Sequence, residues 1–140
     1  MRTPLLTKSM KAKLVKAAQE VQKNAYAPYS KFFVGAAVLA ENGKIYTGVN
    51  VENAAFPSTI CAERAAIVQA VSDGQRNLKA IAVVTRNAGS PCGGCRQVMR
   101  EFGGQDMPII IANEAGEIVE EFSLAELLPR SFGPEDLHHL

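Results

Sequence analysis

The chain is short of histidine and cysteine and has no excess of either charge. Fifteen Lys and Arg face fourteen Asp and Glu, a formal net charge of +1. That balance leaves no electrostatic footprint for nucleic acid or an anionic membrane surface, so the expected partner is small and weakly charged. Long apolar runs are missing too. No stretch approaches the roughly 20 consecutive apolar residues of a membrane span, and "MRTPLLTKSMKAKL" at the start lacks the apolar run of a signal peptide. The expected location is the cytoplasm. Three cysteines are an odd number, and a reducing compartment disfavours a disulfide framework. The two histidines, His138 and His139, sit together in a terminal "LHHL" that reads as a solvated or packing tail. What the chain has is apolar mass: 47% hydrophobic residues over 140 positions, enough for one domain spanning residues 1–140 with a real core.

The patterning predicts a layered α/β fold. From Ser9 to about Lys23, Met10, Leu14, Ala17, Ala18 and Val21 recur at three- and four-residue steps, one stripe of an amphipathic helix. "KFFVGAAVLAENGKIYTGVNVE" reads as two strands hinged on Asn42-Gly43. Pro57, Ser58 and Thr59 supply a breaker and candidate caps before the helical run "ICAERAAIVQAV", which stops near Asp73-Gly74 and holds Cys61 in its first turn. "LKAIAVVTR" is a buried strand, and Pro91 is expected to start a helix running to Phe102. Two more strands flank the Asn113–Gly116 turn, and Ser123 with Glu126 marks a capping box for a short last helix ended by Pro129. The order of elements predicts a sheet sandwiched by helices.

Cys92 and Cys95, in "SPCGGCRQV", stand at a spacing shared by disulfides, redox pairs and halves of metal sites. Cys61 decides among these. A redox pair has no use for it, and a closed structural zinc site needs a fourth ligand, for which only His138 and His139 are present. Three protein ligands with one open position is the pattern of a catalytic zinc. Helix N-termini also favour thiolates, which the metal needs. Three thiolates and Zn²⁺ sum to −1, so a compensating cation is expected. Arg64 and Arg96 are close enough in sequence to donate hydrogen bonds to the sulfurs. Glu63, two residues after Cys61, is spaced to take a proton from a metal-activated water. Judged alone, Glu63 would be a solvated helix glutamate and Arg64 a surface arginine.

"CAE" followed by "PCGGC" is the zinc-deaminase signature. The blocks "NVENAAFPSTICAERAAI" and "SPCGGCRQVM" closely resemble those of the small homotetrameric cytidine deaminases, and "YAPYSKFFVGAAV" and "LLPRSFGPEDL" extend the likeness over nearly the whole chain. The resemblance implies a cytidine deaminase-like, three-layer α/β/α sandwich on a five-stranded mixed sheet. It also implies hydrolytic deamination of cytidine and 2′-deoxycytidine, a pyrimidine-salvage reaction, with one zinc per chain held by Cys61, Cys92 and Cys95. In that family pattern Glu63 is the proton shuttle for attack at C4, and the Ser90 carbonyl faces the leaving amine. Asn50 and Glu52 bind the ribose, Phe32 packs beside the nucleoside, and Ala62 offers its backbone N–H to the base carbonyl. Phe132 matches an aromatic that reaches in from a neighbouring subunit. Phe33 stands where many relatives carry Pro, a change at the lead-in to a strand. Phe56 stands where relatives often have Tyr, so any hydrogen bond from that hydroxyl is missing.

Without the matched blocks, Asn50 and Glu52 would read as strand-end polar residues, and Phe32 and Phe132 as core aromatics. The rival enzyme reading is a deaminase of another cytosine nucleoside, such as blasticidin S. The rival outside enzymes is a zinc-stabilised interaction module without catalysis, which leaves Glu63 unexplained. A nucleic-acid-editing deaminase would need a basic groove with interleaved aromatics, which the sequence lacks.

Overall fold

The structure, a computed structural model, describes residues 6–137. Thr7 opens the first helix, α1 (Lys8–Gln22): its hydroxyl accepts from the Met10 N–H at 3.1 Å and satisfies one of the free donors of the first turn. Leu14, Val15, Ala18 and Gln22 form the buried face, rotated slightly from the predicted stripe. Strands β1 (Gly35–Ala40) and β2 (Ile45–Val49) pair antiparallel across the predicted turn, where the Asn42 side chain accepts from the Lys44 N–H at 3.0 Å.

Helix α2 (Ala62–Ser72) departs from expectation at its start. Phe56–Ser58 form a separate 3₁₀ turn, and the N-cap is Cys61 itself rather than Ser58 or Thr59. After β3 (Leu78–Val84), helix α3 (Gly93–Phe102) differs in the same way: Cys92 is its N-cap, and Pro91 lies just outside the helix it was expected to begin. Strands β4 (Pro108–Ala112) and β5 (Ile118–Ser123) follow, then α4 (Leu124–Leu127), opened by the predicted Ser123–Glu126 capping box. The His138–His139 tail lies outside the described residues.

The sheet order is β2-β1-β3-β4-β5, antiparallel except for the β3–β4 pair. Alternate residues of the central strands point to opposite faces. Ala37, Leu39, Ala80, Ala82 and Ile110 pack with α1 on one face, while Val38, Ile81, Ile109 and Ile111 pack with α2 and α3 on the other. This is the expected α/β/α sandwich on a five-stranded mixed sheet. Gly48 sets the depth of α2 on the sheet: a Cβ there would lie 2.6 Å from the Ala62 carbonyl oxygen, at the helical turn that follows Cys61. No helix among the described residues is long and apolar enough to cross a membrane.

Candidate active site

Cys61 and Cys92 occupy N-cap positions, where Ser, Asp or Asn usually spends a side-chain oxygen on the helix's free N–H groups. Neither cysteine makes a side-chain cap hydrogen bond. Their sulfurs are left for each other. Cys95 is the third helical residue of α3, the position whose side chain folds back toward the N-cap in a capping box. The C-x-x-C spacing therefore turns two sulfurs to one point, and the two helix starts bring Cys61 to the same place. All three Sγ atoms lie within 4.8 Å of one another. Sulfurs about 2.3 Å from a tetrahedral zinc stand about 3.8 Å apart, so this triangle fits one ion. Cys95 is buried, Cys61 half-buried and Cys92 exposed, which leaves the cluster open on one side.

Among the three thiols, negative charge settles on Cys61. Hydrogen bonding from Cys95, then from Cys92, and the charge of Arg64 outweigh burial and bring its pKa down to about 6. The Cys95 thiol is pushed up, first by that same hydrogen bond to Cys61 and then by burial. Glu63, on the first turn of α2, is 5% exposed. Burial raises its pKa, the Cys61 charge adds to the shift, and hydrogen bonds from its own backbone N–H and from Cys95, with Arg64, oppose it. The arrangement places a carboxyl group that binds protons readily beside three sulfurs that could ligate a metal.

Asn50, Glu52 and Phe32 are joined by hydrogen bonds to the segment that leads into the cluster. Val51 and Ile60 exchange two backbone hydrogen bonds of 2.9 Å, which fastens Asn50 and Glu52 to the segment leading into Cys61. Asn50 Nδ2 donates to the Phe32 carbonyl at 2.7 Å and its Oδ1 accepts from the Val34 N–H at 2.9 Å. Glu52 accepts from the Tyr29 and Ser30 N–H groups at 2.9 and 3.1 Å and from the Ser30 hydroxyl, which holds its carboxyl below the usual glutamate range. The expected ribose pair is thus already braced against the 29–34 loop, with a second Asn50 N–H beyond the one on Phe32. Phe32 lies under the Arg86 guanidinium, 5.3 Å from ring centroid to Cζ, and its edge reaches the Gly89 backbone. Ala62 is the first residue of α2, so its N–H has no acceptor within the helix. Phe132 stands apart. The residue is 59% exposed and lines a shallow cavity of about 200 Å³ with Gln97, Glu101, Gly133, Pro134 and Leu137, none of them a cysteine.

The two arginines divide differently from expectation. Arg64 lies beside the cluster and its charge lowers the Cys61 pKa: its Nη2 lies against Gly94, inside the C-x-x-C turn, and its Nε is buried without a hydrogen-bond partner. Arg96 bonds away from the sulfurs. Its Nε, Nη1 and Nη2 donate to the Pro91 carbonyl, the Leu127 carbonyl and the Ser90 hydroxyl, each at 2.8 Å, so it braces the loop before Cys92. Sequence reasoning missed Thr85, whose hydroxyl accepts from the Gly89 N–H at 2.7 Å and tightens that same loop. It also missed Arg86. Nothing in the sequence sets either apart from other polar residues at the end of a strand.

Comparison with known proteins agrees with this geometry. A family model described as the cytidine and deoxycytidylate deaminase zinc-binding region matches residues 8–111. A cytidine deaminase of Sporosarcina psychrophila is 52% identical over 129 residues, covering 91% of this chain and 94% of the relative. One from Halalkalibacterium halodurans is 45% identical, covering 89% and 96%. The crystal structure of cytidine deaminase from Burkholderia pseudomallei superposes with a TM-score of 0.82 at 41% identity, covering 91% of this chain and all of that one. Since the matched region spans all three cysteines and the likeness runs nearly end to end, the chain belongs to the cytidine deaminase family, as a hydrolytic deaminase that carries one zinc ion.

Proposed function

We propose that the chain converts cytidine and 2′-deoxycytidine to the uridines with release of ammonia, in pyrimidine salvage in the cytoplasm, as a homotetramer of single-domain chains spanning residues 1–140. The observation that carries this reading is the buried Glu63 carboxyl beside three sulfurs that converge within 4.8 Å. Cys61, Cys92 and Cys95 would hold the zinc, which when bound acts as a Lewis acid that lowers the pKa of a water to near neutrality. Glu63 takes the proton of the attacking water, passes it to ring N3 and then assists departure of the amine from C4. The Ala62 N–H holds the base carbonyl, and the Ser90 carbonyl, fixed by Arg96 through its neighbours, faces the leaving amine. Asn50 and Glu52 take the ribose hydroxyls, and Phe32 packs against the nucleoside. Arg64 offsets the excess thiolate charge.

An apolar patch supports assembly. Tyr26, Tyr29, Val51, Phe56 and Ile60 are each at least 43% exposed, Val51 being bridged to Tyr26 and Ile60, and Tyr29 meeting Phe56 edge-on at 6.2 Å. Surface clusters of this kind mark sites of association. Phe56, with no hydroxyl to satisfy, suits such a buried contact. In the assembled state Phe132 closes a neighbour's pocket. A spectrophotometric assay on cytidine, deoxycytidine, cytosine, CMP and blasticidin S tests the substrate: turnover of the first two alone is expected, and turnover confined to blasticidin S overturns the reading. Light scattering tests the assembly, where full activity at the mass of one chain would exclude it.

A further inference from the structure

Helix α3 carries two metal ligands at its start, but its later turns grip a different part of the chain. Arg100 is 5% exposed, a cation inside the protein, where a guanidinium is tolerated only with its donors satisfied. Its Nε donates to the Ser131 hydroxyl at 2.8 Å, and its Nη2 pairs with the Glu135 carboxylate. On the preceding turn Gln97 Nε2 donates to the Phe132 carbonyl at 2.8 Å. Between these contacts the backbone passes directly over the guanidinium: a Cβ on Gly133 would come within 2.5 Å of Arg100 Cζ. The Gly133 N–H then donates to Asp136 at 2.8 Å and closes the turn. These bonds hold the backbone and polar side chains on either side of Phe132, a residue left 59% exposed. A buried charge has been committed to fixing an exposed aromatic in one orientation.

We infer that Arg100 is a positioning residue: it fastens the 131–136 strap to α3 so that Phe132 presents its ring to the nucleoside pocket of a second copy of this chain. This role rests on the assembly proposed above. It makes a division of labour between subunits. Each α3 begins at the metal ligands of its own pocket and ends by holding the aromatic lent to another, so loss of Arg100 weakens substrate binding in a neighbour while leaving the chemistry of its own chain in place.

Two altered chains test this. Arg100→Met removes the fork and the charge but keeps the bulk, and Ser131→Ala combined with Glu135→Ala removes two of its anchors while keeping the guanidinium, with circular dichroism showing that each altered chain is folded. Both are expected to keep one zinc per chain and the mass of the unaltered assembly, with KM for cytidine raised about tenfold and kcat within about twofold. Oligomers reassembled from Arg100→Met and Glu63→Gln chains should then show a component with the unaltered KM, because the Glu63→Gln chain has an intact strap to lend. An unchanged KM in the double variant, or a raised KM that mixing does not restore, overturns the positioning role while leaving the assembly standing. An unaltered chain fully active at single-chain mass overturns both.

Discussion

Glu63 and the three cysteines concentrate the chemistry into four side chains on two helix starts, and at this scale the roles separate cleanly. In the proposed reaction the sulfurs hold the ion and the carboxylate moves protons. Replacing Glu63 with Gln keeps the shape and removes the proton acceptor, so metal analysis should still find one zinc per chain while ammonia release falls by about a thousandfold, within the range for loss of a positioned acid–base. Near-normal turnover would exclude the shuttle role. The convergence of the three cysteines was legible in the sequence because metal ligation constrains residue type and spacing together. Arg96 was not. Its partner Leu127 lies 31 residues along the chain, and adjacency to Cys95 gives no hint that the guanidinium turns toward a returning segment.

Elements place those side chains, and their contacts with the sheet are the sensitive points. Gly48 on β2 admits α2 so closely that Gly48→Ala must push the helix outward. The expected cost is about 2 kcal/mol in chemical denaturation, typical of an overpacked contact, with kcat reduced because Cys61 and Glu63 move with the helix. The far end of the same packing is held electrostatically: the Tyr46 hydroxyl donates to Asp73, which caps α2 and also meets Lys44 Nζ at 3.5 Å. The Tyr46 hydrogen bond, then Lys44, holds the Asp73 carboxyl below its ordinary range. A group depressed on folding stabilises above its unfolded pKa, about 3.9, and that contribution is lost as pH falls through the folded value. Tyr46→Phe should therefore be less stable than the unaltered chain at neutral pH, with the gap shrinking on acidification below the Asp73 titration. Urea unfolding at the two pH values measures it. Sequence patterning located every α-helix and strand among the described residues, yet it missed the 3₁₀ turn at Phe56–Ser58 and both helix starts at the site. Ser58, Thr59 and Pro91 carry the usual start signals, whereas cysteine is not a capping residue and takes the N-cap only because its sulfur is needed elsewhere.

At the scale of the whole molecule the sheet separates two cores. The order of elements was readable from the alternation of periodicities, and the layering followed from it, but which ends of the chain meet was not. The 127–136 segment returns to α3 through Arg96, Gln97 and Arg100, contacts between residues about 30 positions apart that no local pattern encodes. The three cysteines and Glu63 lie at the starts of α2 and α3, on one face of the sheet, while α1 covers the other. The N-terminal turn of α1 is therefore a place where stability can be changed away from the cysteine cluster. Helix α1 has no acidic residue in its first turn, so its dipole is uncompensated. Ser9→Glu, on an exposed position there, should raise unfolding stability by about 0.5 kcal/mol at low ionic strength with kcat and KM unmoved in the cytidine assay. A lineage of such chains could drift in heat tolerance through α1 while its reaction stayed constant.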